Sequence, residues 1–407
     1  MSLIVQKYGG TSVLTPGKIK KVAKHIKSCH GNGDNIIVVV SAMGNETDRL
    51  ISLAKKISPD PDKREKDNLV RTGEIVTASL LAIALNDMGV PAKSLTADQI
   101  GLIATGPYGN AKIKSLQNQA LIEKELAEGK VIIVAGFQGI SENGLDIITL
   151  GRGGSDTTAV ALAAFLKAKV CEIYTDVDGV FAIDPRLVPD ARRFGEINYD
   201  WMIAMSGAGA GVLMDRAVML AKMYGVDIRV LLSPSIGESA GGTLITAAGG
   251  DIADLEKSDG SSGVAIKKDV SCIHVSNIPN ESGKATEISS PLKDVNIIDI
   301  AQSWGGKTAQ ISFLLEKAVA ERVFPNMKKI GGAEATLRQG LVAVSLIDMD
   351  MKETSGFAFR LFRVLGENGI NIEFISTSQI SITVAIKEES LTLAASVLAK
   401  EFDLLSA

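Results

Sequence analysis

Short apolar runs alternate with longer stretches of mixed polarity along the N-terminal part of the chain. The runs are rich in Val and Ile, are bounded by turn-forming residues, and predict buried strands at residues 3–6, 35–41, 131–137 and 170–174. Between them, apolar residues recur at three- and four-residue steps, which predicts helices at residues 16–29, 73–87 and 157–167. This alternation predicts an α/β fold with a mainly parallel sheet sandwiched by helices.

The pattern changes after a polar stretch of Gly, Ser and acidic residues at positions 248–263. Beyond it, residues 294–300, Asp-Val-Asn-Ile-Ile-Asp-Ile, are echoed at residues 369–375 by Gly-Ile-Asn-Ile-Glu-Phe-Ile. Each copy follows a helical segment and precedes a Ser-rich turn and another apolar run. We interpret the echo as two copies of a small βα unit of about 70 residues. The alternative is a chance similarity between two ordinary strands.

Composition and charge narrow the class of protein. The chain has 407 residues, of which 46% are hydrophobic, enough to fill the cores of two or three domains. A formal net charge of −4 and only 4% aromatic residues argue against a nucleic-acid partner, which needs basic and stacking side chains. No apolar run approaches the ~20 residues of a membrane span. No secretory leader is evident either, so we expect a cytoplasmic protein without a membrane partner.

The cysteines and histidines predict neither disulfides nor a metal site. The three cysteines, at positions 29, 171 and 272, are odd in number and widely spaced, which is typical of reduced thiols. The three histidines, at positions 25, 30 and 274, lack metal-ligand spacing, so we expect no zinc. The same scarcity disfavours a mechanism based on a Ser–His or Cys–His pair.

The first candidate motif is Lys-Tyr-Gly-Gly-Thr-Ser at residues 7–12, at the end of the first predicted strand. Paired glycines let backbone amides approach an anion, and Lys7 supplies a point charge. Ligands of parallel sheets bind at the loops that follow the carboxyl ends of the strands, where this motif lies. The alternative is a plain strand-to-helix turn with a solvated lysine.

The second motif is Leu-Gly-Arg-Gly-Gly-Ser-Asp-Thr-Thr at residues 150–158, which leads into a predicted helix. We expect Ser155 or Asp156 to cap that helix, whose N-terminus offers free amides and a positive dipole end. Arg152 adds a forked donor suited to a carboxylate or phosphate. A simple capped turn does not need three glycines around an arginine, so the motif favours a binding site.

The third motif, Tyr-Thr-Asp-Val-Asp-Gly-Val-Phe at residues 174–181 with Asp-Pro-Arg at 184–186, places hydroxyl and acidic groups after a buried strand. Such groups could hold a ribose, an adenine edge or a metal-bound phosphate, although Asp-Gly turns are common. The P-loop, the dinucleotide fingerprint and the protein-kinase motifs are all missing from the sequence. A nucleotide enzyme with this sequence must therefore use another architecture.

Taken together and in order, these segments resemble the aspartokinase family of the amino-acid kinase superfamily. The resemblance covers nearly the whole chain and is carried by residues 7–13, 41–44 (Ser-Ala-Met-Gly), 73–74 (Gly-Glu), 136–139 (Gly-Phe-Gln-Gly), 150–161 and 174–186. The tail Asn-Ile-Glu-Phe-Ile-Ser-Thr-Ser at residues 371–378 is similar to the last regulatory (ACT) module of that family. Two such modules would account for the internal echo.

The resemblance implies an amino-acid kinase domain at residues 1–248, followed by two α+β ACT-like (ferredoxin-like) modules at residues 262–334 and 335–407. Whether the two modules interleave is left open. Assembly into a homo-oligomer, a dimer or a tetramer, is expected through these modules.

The implied reaction is transfer of the γ-phosphate of ATP to the β-carboxylate of L-aspartate, giving 4-phospho-L-aspartate, the first step of lysine, threonine and methionine biosynthesis. Mg²⁺ would bridge the nucleotide phosphates. The chemistry fits, because an aspartate carboxylate is already ionised at pH 7 and needs no strong base. What remains is to align two anions and spread the charge of the transferring group.

The resemblance also implies roles for individual residues. Those with catalytic roles are Lys7, Asp156, which would organise the transferring group, and Arg152. Those that would hold the amino acid are Thr47, Glu74 on the ammonium side, Arg152 clamping a carboxylate, and Ser155. Those that would contact the nucleotide are Lys7, Gly9, Gly10, Ser41, Thr175, Asp176, Phe181 and Arg186. Outside the family pattern, Glu74 would be an ordinary first-turn acid of an amphipathic helix, and Thr47 a helix cap.

The sequence departs from the family pattern at residues 209–216, Gly-Ala-Gly-Val-Leu-Met-Asp-Arg, where Gly-Ala-Lys-Val-Leu-His-Pro-Arg is usual. Gly211 therefore stands where a lysine normally approaches the ATP phosphates. We expect a slower enzyme with a higher ATP requirement, unless Lys222 or another group supplies the charge.

The regulatory modules depart from the pattern too. The effector loop at residues 277–283 lacks the usual Asp-x-Pro-Gly order, Gln302 is followed by Ser instead of Asn, and residues 348–351 lack a glycine turn. Inhibition by lysine or threonine is therefore left open. If an effector binds, the resemblance implies contacts from Asn280, Gly283, Gln302, Asn371, Ile372, Ser376 and Thr377.

Two alternatives to an active aspartate kinase are kept. One is a related amino-acid kinase that acts on another carboxylate such as glutamate, although Glu74 and the arginine motif favour aspartate. The other is a catalytically weakened paralogue that binds an effector and regulates an active partner, an idea that depends on Gly211.

Overall fold

A computed structural model describes residues 2–247, 262–328 and 334–406. Most of the polar stretch predicted as the domain boundary, at residues 248–263, lies outside the described residues. Contacts divide the chain into two units. The first consists of Met1–Val180, Arg193–Ile203 and Gly211–Asp251, and the second of Phe181–Arg192, Ala204–Ala210 and Ile252–Ala407.

The first unit is built on an eight-stranded, mainly parallel sheet. From one edge to the other, its strands are β10 (Glu196–Asn198), β12 (Thr243–Thr246), β11 (Ile228–Leu232), β9 (Val170–Thr175), β1 (Leu3–Tyr8), β2 (Asn35–Val40), β6 (Val131–Ala135) and β3 (Ala92–Leu95). All neighbouring pairs are parallel except β11 with β12. The predicted α/β class with a mainly parallel sheet is therefore confirmed.

A smaller four-stranded sheet also belongs to the first unit. Its strands, in order, are β5 (Lys112–Leu116), β4 (Leu102–Thr105), β7 (Gln138–Ser141) and β8 (Ile147–Thr149). The helices of this unit are α1 (Pro16–Gly31), α2 (Glu46–Ile57), α3 (Lys63–Val70), α4 (Thr72–Asp87), α5 (Ala97–Ile100), α6 (Gln119–Ala127), α7 (Gly154–Phe165) and α9 (Asp215–Tyr224). Helix α8 (Tyr199–Gly207) spans the division between the units.

The predicted strands and helices of this unit are confirmed with shifts of one to three residues at their ends. Local chemistry explains where α1 begins, because the side chain of Thr15 accepts a hydrogen bond from the Lys18 amide and Pro16 occupies the first turn. Strand β2 is buried on both faces, as expected for a central parallel strand. Its residues Ile36, Val38 and Val40 join a core cluster with α1 and α4.

Helix α4 is not the amphipathic helix that its sequence predicts. Ala78, Leu81 and Leu85 are buried in the core cluster, whereas Val76 and Ile83 on the other side are 52% and 64% exposed. Among the described residues, the helical stretch Lys63–Asp87 is long and apolar enough to cross a membrane by length and composition. Because Ala78, Leu81 and Leu85 of this stretch pack in the core cluster, we interpret it as a core helix.

The second unit contains a six-stranded antiparallel sheet. Its strands, in order, are β14 (Asp299–Gly305), β15 (Thr308–Glu316), β13 (Gly263–Pro279), β16 (Glu334–Ile347), β18 (Ser381–Lys387) and β17 (Ile372–Thr377). Its helices are α10 (Lys284–Ser289), α11 (Lys317–Met327), α12 (Phe357–Glu367) and α13 (Leu391–Glu401), with short 3₁₀ turns at Ser290–Leu292 and Glu388–Ser390.

The internal echo predicted from the sequence corresponds to equivalent elements. One copy leads into β14 and the other into β17, the two edge strands of the sheet. The long strands β13 and β16 pair along two stretches, residues 263–267 with 343–347 and residues 270–276 with 334–341. The register shifts between these stretches. The N-terminal part of β13 thus pairs with the strand that leads into the second copy.

A segment that precedes the C-terminal region in sequence also belongs to the second unit. Within Phe181–Arg192, the Ala182 carbonyl accepts from the Val264 amide at 2.6 Å, and the Ala182 amide donates to the Arg192 carbonyl at 2.8 Å. The Arg192 amide donates in turn to the Leu404 carbonyl at 2.7 Å. The chain therefore contributes to the second unit well before residue 248.

Candidate active site

A cavity of about 480 Å³ opens at the carboxyl ends of the central strands of the first unit. The loops after β1 and β2 and the N-terminus of α7 line it, as expected for a parallel sheet. The predicted site residues in its lining are Lys7, Gly9, Gly10, Ser41, Thr47, Arg152, Ser155 and Asp156. Residues that were far apart in sequence therefore meet at one place.

Lys7 and Asp156 form an ion pair inside the cavity lining. The Lys7 Nζ atom lies 2.6 Å from Asp156 Oδ1, and the two side chains are only 11% and 10% exposed. Lys7 is the last residue but one of β1 and lies beside the first turn of α7. A cation at the end of a strand and the positive end of a helix dipole together favour an anion at this point.

Gly10 allows the loop after β1 to approach the loop after β2. A Cβ atom at this position would lie 2.8 Å from the Ala42 carbonyl oxygen, and the Gly10 carbonyl accepts from the Gly44 amide at 3.0 Å. Any larger residue would push the two loops apart. The glycine is therefore a structural requirement of the cavity lining.

The prediction that Ser155 or Asp156 caps α7 is wrong. The N-cap is Gly153, in the left-handed region with φ of 66°, and it makes no side-chain cap. A Cβ atom at Gly153 would overlap the side chain of Met214, so only glycine fits there. Ser155 and Asp156 instead lie in the first turn of the helix, where their buried side chains line the cavity.

Arg152 is exposed at the cavity, and no carboxylate in the described ranges forms an ion pair with it. Thr47, on α2, is half-buried in the same lining, close to the exposed Asp48. An arginine fork without an internal partner is suited to a carboxylate from outside.

Glu74 lies beneath the loop after β2 and does not line the cavity. The side chain is 3% exposed, and its Oε1 atom accepts a hydrogen bond from the Ala42 amide at 3.1 Å. Burial raises the pKa of Glu74 to about 7 against an opposing effect of that hydrogen bond. Its Oε2 atom has no hydrogen-bond partner among the described residues, which leaves one buried acceptor available.

Four residues predicted at the nucleotide are not part of this cavity lining. Thr175 donates to the Asp176 carboxylate at 3.1 Å where β9 ends. Phe181 and Arg186 belong to the segment assigned to the second unit, where the Arg186 guanidinium binds Asp184 through two contacts of 3.0 Å. Their nucleotide role stays a prediction.

The lining also includes residues to which the sequence analysis gave no role, among them Lys66, Asp67, Gly109 and Phe137. Lys66 and Asp67 come from α3, for which no element was predicted. Phe137 has a left-handed backbone with φ of 70°, an uncommon and strained state for a bulky residue. Its place in the Gly-Phe-Gln-Gly motif was the only available signal.

Gly211 lies outside the cavity lining and is exposed, with φ of 70°. Lys222, which was considered as a substitute for the missing lysine, binds Asp200 at 2.6 Å and does not line the cavity either. Lys66, in contrast, supplies a half-buried cation in the lining.

The predicted effector residues occupy the edges and loops of the six-stranded sheet. Asn280 and Gly283 follow β13, and Gln302 lies on the edge strand β14. Ser376, on the opposite edge strand β17, donates a hydrogen bond of 2.7 Å to Asp299 of β14. The remaining three positions, Asn371, Ile372 and Thr377, lie at or beside β17.

The chain matches two family models, the amino acid kinase family at residues 2–231 and the ACT domain at residues 344–402. Among curated proteins, the aspartokinase of Bacillus sp. (strain MGA3) is 42% identical over 99% of this chain and 98% of its own length. The aspartate kinase of Pseudomonas fluorescens (strain SBW25) is 43% identical with the same coverage.

Solved structures give the same picture. The aspartate kinase from Synechocystis is 38% identical, covers the whole of this chain and 70% of its own, and has a TM-score of 0.55. Escherichia coli aspartokinase III in complex with aspartate and ADP has a TM-score of 0.78 over 98% of this chain and all of its own. At 22% identity it supports the fold alone.

Proposed function

This chain belongs to the aspartokinase family within the amino acid kinases, and we propose that it transfers the γ-phosphoryl group of ATP to the β-carboxylate of L-aspartate. The product is 4-phospho-L-aspartate, which begins the synthesis of lysine, threonine and methionine. Full-length identity of 42–43% to relatives that carry this name favours the active kinase over both alternatives. In the structure, the main support for this reaction is the Lys7–Asp156 ion pair at the start of α7, in a cavity that Arg152 also lines.

The residues of the cavity supply what the reaction needs. The acceptor carboxylate is ionised at neutral pH, so the barrier comes from bringing it to a polyanionic phosphate. Lys7 and the first-turn amides of α7 offset that charge, and the Gly9–Gly10 backbone gives the phosphates a close approach. Asp156 holds the Lys7 ammonium group in place until the phosphates arrive.

Arg152, Thr47 and Ser155, which line the same cavity, hold the amino acid. The planar fork of Arg152 pairs with the α-carboxylate through two parallel hydrogen bonds, which fixes both its position and its orientation. Glu74 lies outside the cavity lining, so we assign it an electrostatic role, in which its buried carboxylate attracts the substrate ammonium group from beneath the loop after β2. Alignment of this kind contributes much of the rate enhancement in phosphoryl transfer.

Mg²⁺ fits the donor set of this cavity without a protein cage. No group of three or more His, Cys, Asp or Glu side chains within the described ranges could hold a metal ion. Mg²⁺ usually binds through one or two carboxylates together with substrate phosphates and water. When bound, it would neutralise phosphate charge, and Asp156 is the cavity carboxylate closest to that role.

We assign the six-stranded sheet of the second unit to assembly and effector control. An Escherichia coli aspartokinase III structure contains lysine and aspartate, and an ACT model matches residues 344–402 here. These observations support lysine or threonine as candidate effectors and a homo-oligomer, a dimer or tetramer, joined through these modules. The proposed substrates, ATP and aspartate, are soluble metabolites of the cytoplasm, which supports a cytoplasmic location.

A coupled assay tests the reaction. ADP release should depend on L-aspartate and should be far slower with L-glutamate, and hydroxylamine should trap the acyl phosphate formed from aspartate. Equal rates with glutamate would support the other amino-acid kinase. No turnover with either acceptor, together with measurable lysine or threonine binding, would support the regulatory paralogue.

A further inference from the structure

Two short segments of the first unit run side by side next to the arginine loop, which we define as residues 151–153. The segments are residues 109–111 and residues 149–150, and the Ala111 amide donates to the Thr149 carbonyl at 2.9 Å. The second segment continues directly into Gly151 and Arg152. The position of these segments therefore decides where the Arg152 side chain begins.

Asp67 binds the amides of both segments. Its Oδ2 atom accepts from the Gly109 amide at 2.8 Å and from the Thr149 amide at 2.7 Å. The residue is completely buried on α3, where a carboxylate oxygen that accepts two amides makes strong, charge-assisted hydrogen bonds.

Arg216, on α9, binds the carbonyls of the same segments. Its Nη1 atom donates to the Leu150 carbonyl at 2.8 Å, and its Nη2 atom donates to the Ala111 carbonyl at 2.5 Å. One acidic and one basic side chain from different helices thus satisfy complementary backbone groups of one pair of segments. We call this arrangement the loop clamp.

The spacing at Gly151 leaves little freedom for these segments. Gly151 has φ of 79°, and a Cβ atom there would lie 3.0 Å from the Gly109 carbonyl oxygen. The arginine loop therefore passes residue 109 at a distance that only glycine permits at position 151. By contrast, Lys7 lies at the end of β1 and Gly9 and Gly10 in the loop after it, and neither Asp67 nor Arg216 binds these residues.

We propose that Asp67 and Arg216 are positioning residues that fix the arginine loop for the amino-acid substrate. The inference rests on the proposed function, since it assigns the loop to aspartate. Neither residue needs to contact the substrate. Their loss should weaken aspartate recognition and leave the recognition of ATP nearly unchanged.

A comparison of Asp67→Asn with Asp67→Ala separates the effect of the two hydrogen bonds from the effect of the negative charge. Both amides bind one oxygen of Asp67, so an asparagine carbonyl can take its place, with the side-chain amide where the unpartnered Oδ1 stands. A misplacement of about 1 Å can cost ~100-fold in rate. We expect Asp67→Ala to raise KM for aspartate by ~10-fold or more. Asp67→Asn should stay within about 3-fold of the wild type, and KM for ATP should change less than about 2-fold in both.

Arg216→Lys provides a second, independent variant. A lysine keeps the charge but cannot bind two carbonyls as a fork, so KM for aspartate should again rise. Both residues act on one pair of segments. The rise in KM for aspartate in the double variant Asp67→Ala/Arg216→Lys should therefore be smaller than the product of the rises in the two single variants. If Asp67→Ala alone folds poorly, Arg216→Lys on its own still tests the proposal.

Asp62→Ala is the matched control on the same helix. Asp62 caps α3 by accepting a hydrogen bond from the Glu65 amide at 3.0 Å and is exposed. Its loss should lower the thermal midpoint without changing KM for aspartate. Melting curves of all variants separate this stability effect from the effect on the loop.

Aspartate binding is measured by calorimetry alongside the kinetics. The proposed role of the loop clamp and the proposed reaction can then be contradicted independently. An active wild type with unchanged aspartate KM in Asp67→Ala and Arg216→Lys would overturn the clamp. Equal losses in Asp67→Asn and Asp67→Ala would overturn it as well, because charge alone would then matter. A wild type that binds aspartate without turnover would overturn only the reaction, and a wild type that does neither would overturn both.

Discussion

The Nζ atom of Lys7 lies 2.6 Å from Oδ1 of Asp156, which joins the end of β1 to the first turn of α7. The contact is a close ion pair between two side chains that are almost fully buried. Phosphate groups that enter the cavity would compete with Asp156 for the ammonium group. We therefore expect the phosphates of the nucleotide to contact this ion pair when they bind.

Removal of Lys7 should abolish most of the activity and also destabilise the fold. We expect Lys7→Met to lower kcat by ~100-fold or more, because it removes the cation at the point of charge transfer. It should also lower the free energy of unfolding by about 3 kcal/mol, since Asp156 would remain buried without its partner.

Unfolding in urea tests the stability part of this prediction. Lys7→Met/Asp156→Asn should recover most of the stability but not the activity. Lys222→Met removes the exposed pair with Asp200 and is the control, with an expected change below about 1 kcal/mol. Loss of activity in Lys222→Met would instead assign the missing phosphate cation to Lys222.

The raised pKa of Glu74 predicts a pH-dependent contribution to stability. Burial raises this pKa to about 7, so the folded protein keeps a proton that the unfolded chain has lost. The contribution is fully present below the unfolded pKa of about 4.5 and is lost as the pH rises through 7. Its size is up to about 3 kcal/mol.

Glu74→Gln should remove this slope from the free energy of unfolding between pH 4.5 and 7. In the wild type, KM for aspartate should fall as the pH rises through 7, because ionised Glu74 attracts the ammonium group. Glu46→Gln changes a partly exposed acid whose pKa Arg49 lowers through a hydrogen bond and is the control. A wild-type KM that is flat across this range would contradict the role of Glu74.

Gly211→Lys tests whether a missing cation limits the use of ATP. A restored lysine should lower KM for ATP by up to ~10-fold through one additional charge at the phosphates. The left-handed backbone, with φ of 70°, should cost about 1 kcal/mol of stability for any side chain.

Gly211→Ala carries the same backbone cost without the charge. Its thermal midpoint should fall as much as that of Gly211→Lys, and KM for ATP should not improve. If the lysine and alanine variants have the same KM for ATP, the charge at this position is not limiting.

Lys66 should contribute to aspartate binding without contributing to the chemical step. We expect Lys66→Met to raise KM for aspartate by ~5-fold with little change in kcat, the signature of lost uniform binding. Arg152→Lys should raise the same KM by ~10-fold or more, since a lysine cannot form a bidentate pair. Steady-state kinetics with varied aspartate measures both, and Lys63→Met, exposed on the same helix, is the control.

The sequence alone predicted those strands and helices whose hydrophobic pattern is strong. Strands β1, β2, β6 and β9 are buried runs of β-branched residues between turn formers, so their bounds followed within three residues. The glycine-rich motifs also converged on one cavity as expected, because the carboxyl ends of parallel strands meet at one edge.

The rest of the site depends on contacts between residues distant in sequence. Asp67 lies in a polar helix that gave no periodic signal, and its partners Gly109 and Thr149 are more than 40 positions away. The cap of α7 was misassigned because Gly153 takes it with a left-handed φ, at a point where the distant Met214 leaves no room for a side chain. Propensity alone cannot reveal such tertiary effects.

The segment Phe181–Arg192 limits where this protein can be truncated or divided into separate domains. Its backbone amides and carbonyls find their partners at Val264 and Leu404, at opposite ends of the C-terminal region. A gene truncated after residue 247 would encode a segment stripped of these hydrogen bonds. Exchange of regulatory regions between relatives would likewise fail at a single splice point, so any functional hybrid must carry this segment together with its C-terminal partners.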